Sequence, residues 1–313
     1  MSIHEKYFVE AEIYELRRII SNIPKSKIIK RKSYEHRLAQ AEEALRQMQA
    51  APAPESMVIT FKGHPVRGTH GIFADFATKA MGKLSDAFAA FVAIAKGKNL
   101  GSTGALPEAD KHRLLITGTA LGSFGFELEL PTPEQESPPV QGTLLPEEDA
   151  IIKARDMLEE VITQSLDGDD DQLAESIEDI DQRAIDSVQA FYEVLRQDDA
   201  VFSLTIGPRK IVCPTVEKVQ QASARLKSDN ILKSEVSFTG QFAGILPLKR
   251  DFEFIDSEKG PIRGKIDKSI EDASILNREW LSRPATIRLA SRTVGQGKAR
   301  YTLMALEHIM PRS

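Results

Sequence analysis

From Phe124 to Leu130 the chain alternates: Phe124, Phe126, Leu128 and Leu130 fall on one side, Gly125, Glu127 and Glu129 on the other. A period of two marks a strand with one buried face. Leu114, Leu115 and Ile116 form a second short apolar run, and Gly118 to Ser123 carry turn chemistry, so residues 113–130 predict a β-hairpin. Upstream the period changes. Val9, Ile13, Leu16, Ile20 and Ile23 recur at spacings of four and three, as do Tyr34, Leu38, Ala41, Leu45 and Met48. These spacings predict two amphipathic helices, the first ended by Pro24 and the second capped by Ser33, lying antiparallel across a short connector. Two such narrow seams bury little on each other, so residues 1–51 are expected to dock on the body or to self-associate.

Met57 to Phe61 predicts a strand, Gly63 to Gly71 a loop, and Ile72 to Lys96 one long helix with Phe73, Phe76, Ala80, Leu84, Phe88, Phe91 and Ala95 along one stripe. With the hairpin this makes a β-α-β-β domain over 56–130, in which Phe124 and Phe126 press on the Phe76, Leu84 and Phe91 face of the helix. Ala50 to Glu55 and Pro131 to Pro146 are linkers by composition. Helical patterns occupy 147–228, with Ile151, Ala154, Leu158, Val161 and Ile162 on one face, Ala184, Val188, Phe191 and Leu195 on another, and a shorter helix between Gln172 and Ile180. This segment is expected to pack on the preceding domain. From Lys233 short alternating runs return, marked by Val236 and Phe238, Phe242 and Ile245, Phe252 and Phe254, Ile262 and Ile266, Ile287 and Leu289, and Tyr301 and Leu303, with a helix near Ser269 to Leu276. Residues 229–313 therefore predict a small β-barrel, SH3-like or OB-like, and the whole chain a multi-domain α+β protein.

Charge sharpens this division. Lys and Arg against Asp and Glu number 10 to 7 over residues 1–51, 8 to 7 over 52–130, 4 to 20 over 131–200 and 19 to 12 over 201–313. An acidic middle and a basic end are different surfaces. The single cysteine, Cys213, excludes an intrachain disulfide and suits a reducing compartment. The N-terminus lacks the pattern of a signal peptide and no apolar run is long enough to span a bilayer, so cytoplasm is expected and membrane insertion is not.

Two stretches, GHPVRGTHGIFADF with LLITGTALGSFGFELEL, and FTGQFAGILPLKRDFEF with PIRGKID, resemble a group of uncharacterised bacterial proteins marked by a GSFGFE hairpin. The resemblance covers most of the chain. It implies a bacterial cytosolic protein and carries no activity with it.

Candidate chemistry is sparse. The connector KSKIIKRKSYEHR sets Lys25, Lys27, Lys30, Arg31, Lys32 and Arg37 against Glu35, a cluster that could meet phosphate or stand as solvated surface. In Gly63 to Gly71, Arg67, Thr69 and His70 precede a helix, the arrangement of an anion-binding loop, without the Lys-Ser/Thr pair of a P-loop. Asp167, Asp169, Asp171 and Glu178 occupy positions 1, 3, 5 and 12 of a calcium loop, with Leu173 and Glu175 at 7 and 9, but Gln172 stands where the EF-hand turn requires glycine. His64 and His70 have no partners at zinc spacing, and Ser123 lies outside a nucleophile elbow. Neither metal nor cofactor is expected. In the barrel, Arg288 and Arg292 share an outer face and the loop GQGKAR adds Lys298 and Arg300, the material of a nucleic-acid track, with Tyr301 as the one stacking candidate.

The sequence expectation is a non-catalytic binding or assembly protein, a subunit or adaptor of a larger complex, with a protein partner or a second copy held through residues 1–51. The alternative is a nucleic-acid-binding accessory acting through the basic barrel, and a distant one a hydrolase using the Arg67 to His70 loop.

Overall fold

The computed structural model describes residues 3–24, 27–50, 56–101, 103–120, 124–131, 147–207 and 209–312. Of the linkers expected over Ala50 to Glu55 and Pro131 to Pro146, residues 51–55 and 132–146 lie outside the described residues, as does Ser123, and Ala50 is the last residue of a helix. The protein is α+β and divides into two compact units. One comprises residues 1–98, 105–155 and 194–216, the other residues 99–104, 156–193 and 217–313.

In the first unit, α1 (Ile3–Asn22) packs on α2 (Ile28–Ala50). Their shared core is small: Ile13, Leu16 and Ala41 are buried, with Val9, Tyr34, Leu38 and Leu45 partly covered. Ion pairs cross between the helices from Arg17 to Glu42 at 2.7 Å and from Arg37 to Glu12 at 2.8 Å. Ser33 is not the cap of α2 but lies inside it. The backbone of Lys27 donates to the carbonyl of Pro24 and that of Arg31 to Lys27, so the turn Pro24 starts runs directly into the helix five residues before Ser33.

Five strands, β1 (Ser56–Gly63), β4 (Leu115–Ala120), β5 (Phe124–Glu129), β6 (Ala200–Ile206) and β7 (Arg209–Cys213), form an antiparallel sheet in the order β4-β5-β1-β6-β7. Met57, Ile59 and Phe61 of β1 stand opposite Leu128, Phe126 and Phe124 of β5, and opposite Ile206, Leu204 and Phe202 of β6. Directly opposed residues share a face, so these positions form one apolar layer. The long helix α3 (Ala74–Ala95) covers it, the ring of Phe76 meeting Phe61 edge to face at 5.3 Å. The Gly63 to Gly71 loop contains a short hairpin, β2 (Val66–Arg67) with β3 (Gly71–Ile72).

The expected hairpin of residues 113–130 is present as β4 and β5, with differences. Gly118 to Ala120 are strand, not turn, after a bulge between Ile116 and Gly118. Phe124 and Phe126 lie on the buried face but are only half-buried, since their strand is next to the sheet edge; their rings pack on each other at 6.0 Å. Strands β6 and β7 replace part of the helical segment expected over 147–228. Their signal was present: Ala200, Phe202, Leu204 and Ile206 alternate with exposed or half-buried neighbours.

The second unit joins helices to a barrel. Its helical part draws on α4 (Glu147–Leu166), α5 (Asp170–Ser176), α6 (Gln182–Gln197) and α7 (Val216–Leu226). Buried Ser165 and Tyr192 hydrogen-bond through their hydroxyls at 2.8 Å, and Ser223 donates to Glu193 at 2.6 Å. The barrel uses β8 (Ile231–Leu246), β9 (Asp251–Asp256), β10 (Gly260–Ile266), β11 (Pro284–Val294) and β12 (Arg300–Leu303). They close in the cycle β8-β9-β10-β12-β11-β8, antiparallel throughout except for the parallel β10–β12 pair. A further strand, β13 (Ile309–Pro311), adds to β11. Val236, Phe238, Phe242 and Ile245 belong to one long strand, bulged between Phe242 and Gly244. Phe242 fills the centre, with Phe252 and Phe254 edge-on at 5.7 and 5.1 Å. The helix between β10 and β11, α8 (Ile275–Glu279), starts later than expected. The carboxylates of Asp267 and Asp272 first accept from the amides of Ser269 and Ser274 in local turns, which displace helix from that stretch. Among the described residues no helix is long and apolar enough to cross a membrane.

Candidate functional site

The barrel's β11–β12 loop was the sequence's main candidate for anion contact, and in the structure it meets anions from its own unit. Two carboxylates at the start of α5 sit over the loop: Asp170 accepts from the amide of Gln296 at 3.0 Å and Asp171 from the amide of Lys298 at 2.6 Å. Arg225 also donates to Asp170, at 3.1 Å. Gly295 has φ +51, and a Cβ there would strike the Asp170 carboxylate; at Gly297 a Cβ would lie 2.9 Å from Asp171. Both glycines are thus matched to the closeness of these acids. Arg300 reaches the carbonyl of Asp171 and the carboxylate of Glu175, each at 3.4 Å.

The other end of α5 is held by Arg292, whose guanidinium donates to the carbonyls of Ile177, Glu178 and Ile180. Burial pulls its pKa below the ordinary arginine value, against the pull of Asp181, Glu178 and Asp179. Burial likewise raises the Glu178 carboxyl above the usual range, opposed by Arg300. Arg288 points outward and pairs with Glu235 at 3.8 Å, while the Lys298 side chain is exposed. Tyr301 packs edge-on against Phe238 at 5.1 Å and rests, partly buried, on the barrel core.

The remaining candidates are dispersed. Lys30 and Lys32 are exposed near the start of α2 and Arg31 pairs with Glu35 at 2.9 Å; Lys25 lies outside the described residues. Arg67, Thr69 and His70 are all exposed at the tip of the β2–β3 hairpin, with the Arg67 guanidinium over the Phe73 ring at 5.2 Å. The acids of the proposed calcium loop diverge. Asp167 pairs with Lys218, Asp169 forms a reciprocal capping box with Gln172 at the start of α5, and Asp171 serves the barrel loop. Gln172, at the position where calcium binding wants glycine, is the residue that completes the box. Among the described residues no group of three potential metal-binding side chains converges.

One cluster was missed by sequence reasoning. Lys96, which ends α3, places its ammonium 3.0 Å from Nε2 of buried His112 and 3.4 Å from Glu108, and Lys98 also donates to Glu108. The Lys98 hydrogen bond, aided by the charges of both lysines, brings the Glu108 carboxyl down to about 2. Its sequence signal was the i,i+4 pair of Glu108 and His112 following a lysine at the end of an apolar stripe.

The two outer strands of the open sheet differ in a way that bears on binding. β7 presents Arg209 and Lys210, the charged residues with which edges resist pairing. β4, LITGTA, has no charge, and its Leu115 and Ile116 are 61% and 50% exposed. Among the described residues no strand pairs with its outer side. Comparison of the chain with family models, curated proteins and solved structures finds no match.

Proposed function

We propose that the chain is a non-catalytic binding and assembly protein of the bacterial cytoplasm, working as a subunit of a larger complex. The observation that carries this reading is β4, an uncharged sheet edge with exposed Leu115 and Ile116 and, among the described residues, no strand on its outer side. Its occupant is a second copy of the same strand, because edge-to-edge pairing about a two-fold axis is self-complementary and needs no other species. The helix α1, which belongs to the expected self-association element, also contacts β4.

We further assign the barrel to the OB-like type. Support comes from the strand order, in which the first strand pairs with the second and fourth, the third runs parallel to the fifth, and a helix separates third from fourth. The face formed by its second and third strands, where such barrels bind strands of nucleic acid, carries ion pairs, Arg263 with Glu253 and Lys265 with Asp251, and no outward aromatic. With Arg292 and Arg300 turned to α5 as well, a nucleic-acid track along β11 and β12 is the weaker reading.

Light scattering on the full chain tests the proposal. A mass of twice the 34.7 kDa chain is expected, falling to one chain in the Leu115→Lys/Ile116→Lys variant with little change in melting temperature, since exposed substitutions typically shift stability by about 0.5 kcal/mol or less. A parent that runs as a monomer at micromolar concentration sinks the edge as a self-association surface.

A further inference from the structure

A cavity of about 350 Å³ opens on the flank of the barrel, lined by Glu279, Trp280, Arg283, Pro284, Pro311 and Arg312. Its walls are held by backbone hydrogen bonds. The amide of Ser282 donates to the carbonyl of Phe242 at 2.9 Å, that of Arg283 to Trp280 at 3.1 Å, and that of Arg312 to Pro284 at 3.1 Å. Ser282 adopts φ +59, a left-handed conformation that costs energy outside glycine and that the surrounding contacts maintain. Trp280 leans on the barrel core yet keeps part of its indole at the surface.

What sets this cavity apart is the state of its arginines. Elsewhere on the barrel surface Arg263, Lys265, Arg278 and Arg288 each pair with a carboxylate. Arg283 and Arg312 line one cavity, both exposed, and among the described residues neither guanidinium makes a hydrogen bond or ion pair, although Glu279 lines the same space. Two unneutralised guanidinium groups call for an anion, a part-exposed indole calls for a flat ring, and a lone carboxylate calls for N–H donors. Flanking prolines keep the walls apolar and remove one competing backbone donor each.

We propose that this cavity binds one nucleotide. The base stacks on Trp280, the phosphate is taken by Arg283 and Arg312, and Glu279 accepts from the N–H groups on the base edge. The volume lies at the small end of ligand pockets and suits a single residue, either a free mononucleotide or the phosphorylated end of a strand. An acidic peptide would use the arginines and leave the indole idle, and inorganic phosphate would leave both indole and carboxylate idle. This site is separate from the β4 edge and does not depend on it.

Because Trp280 is the only tryptophan, its fluorescence in the full chain reports stacking directly. Titration with GMP and AMP should quench it, with half-saturation at or below about 1 mM, while inorganic phosphate alone should not. Arg283→Ala and Arg312→Ala should each weaken the effect about tenfold, the loss of one charge-assisted contact, and Glu279→Gln should reduce the preference for GMP over UMP. Unchanged melting temperatures will show that the variants fold. A 5′-phosphorylated tetranucleotide that binds more tightly than GMP identifies a strand end as the ligand, and equal binding identifies the free nucleotide; either supports the site. No quenching by any nucleotide at about 10 mM, equal response to phosphate, or equal response to a polyglutamate peptide overturns the proposal.

Discussion

The open sheet and the closed barrel solve the same problem, an apolar β-surface, in opposite ways. The sheet buries one face under α3 and ends at two free edges; the barrel turns its apolar side chains inward and pairs each of its five strands on both sides. An open sheet can be extended by a further strand, whereas anything held on a closed barrel must be held through loops and side chains. The structure shows both consequences. The sheet ends at β4, which among the described residues has no strand on its outer side, while the barrel grips α5 with loop amides at one end and Arg292 at the other.

Side-chain truncation in the two places should expose the difference most strongly. Phe254 is fully buried in the barrel, and Phe254→Ala is expected to cost about 4 kcal/mol in chemical denaturation. Half-buried Phe126 near the open edge should cost only about 1–2 kcal/mol on the same change, since less area returns to water. Equal losses at both positions would erase the contrast between closed and open layers.

The grip on α5 comes next. Arg292→Met should cost about 3 kcal/mol, because three backbone carbonyls lose a charged donor in a poorly solvated place. Hydrogen exchange should report the loss in α5 before the barrel strands. A variant as stable as the parent, with α5 amides protected as before, would show that packing of Leu173 and Ile177 alone retains the helix.

The smallest effect belongs to Glu108 in the sheet unit. Its carboxyl is lowered from 4.5 to about 2, so its contribution to stability is complete above pH 4.5 and is lost as pH falls through about 2. Urea melts of Glu108→Gln should therefore differ from the parent at pH 7 and converge with it near pH 2. A difference that stays constant over this range would assign the effect to shape and not to charge.

Much of this architecture could be read from period alone. The long helix α3, the 113–130 hairpin and the barrel strands all carry clear apolar spacing, and each lies close to where its spacing put it, although bulges interrupt the period in β4 and β8. What failed was competition between signals. The alternation in Ala200–Ile206 sits between strong helical patterns and was absorbed by them. Ser33 offered a cap, but Pro24 had already started the turn. The site was less legible for a different reason. Arg292 and Arg288 have the same parity on one strand, and nothing local says that one will be buried against carbonyls more than a hundred residues earlier while the other stays in water. Trp280, Arg283 and Arg312 come together only because β13 returns to the start of β11.

The parallel pairing of β10 with β12 also imposes an order in time. Until β12 is made, the cylinder cannot shut, and the nascent β8–β9–β10 ribbon has an unmatched margin. The amides that receive Asp170 and Asp171 lie 126 and 127 residues after them, so α5 leaves the ribosome long before its seat exists. Such distant closure makes assembly of this unit slow relative to its helices. Synthesis therefore passes through an interval in which acidic helix and basic loop are both uncommitted, and a chaperone or a neighbouring nascent chain has its best opportunity to intervene.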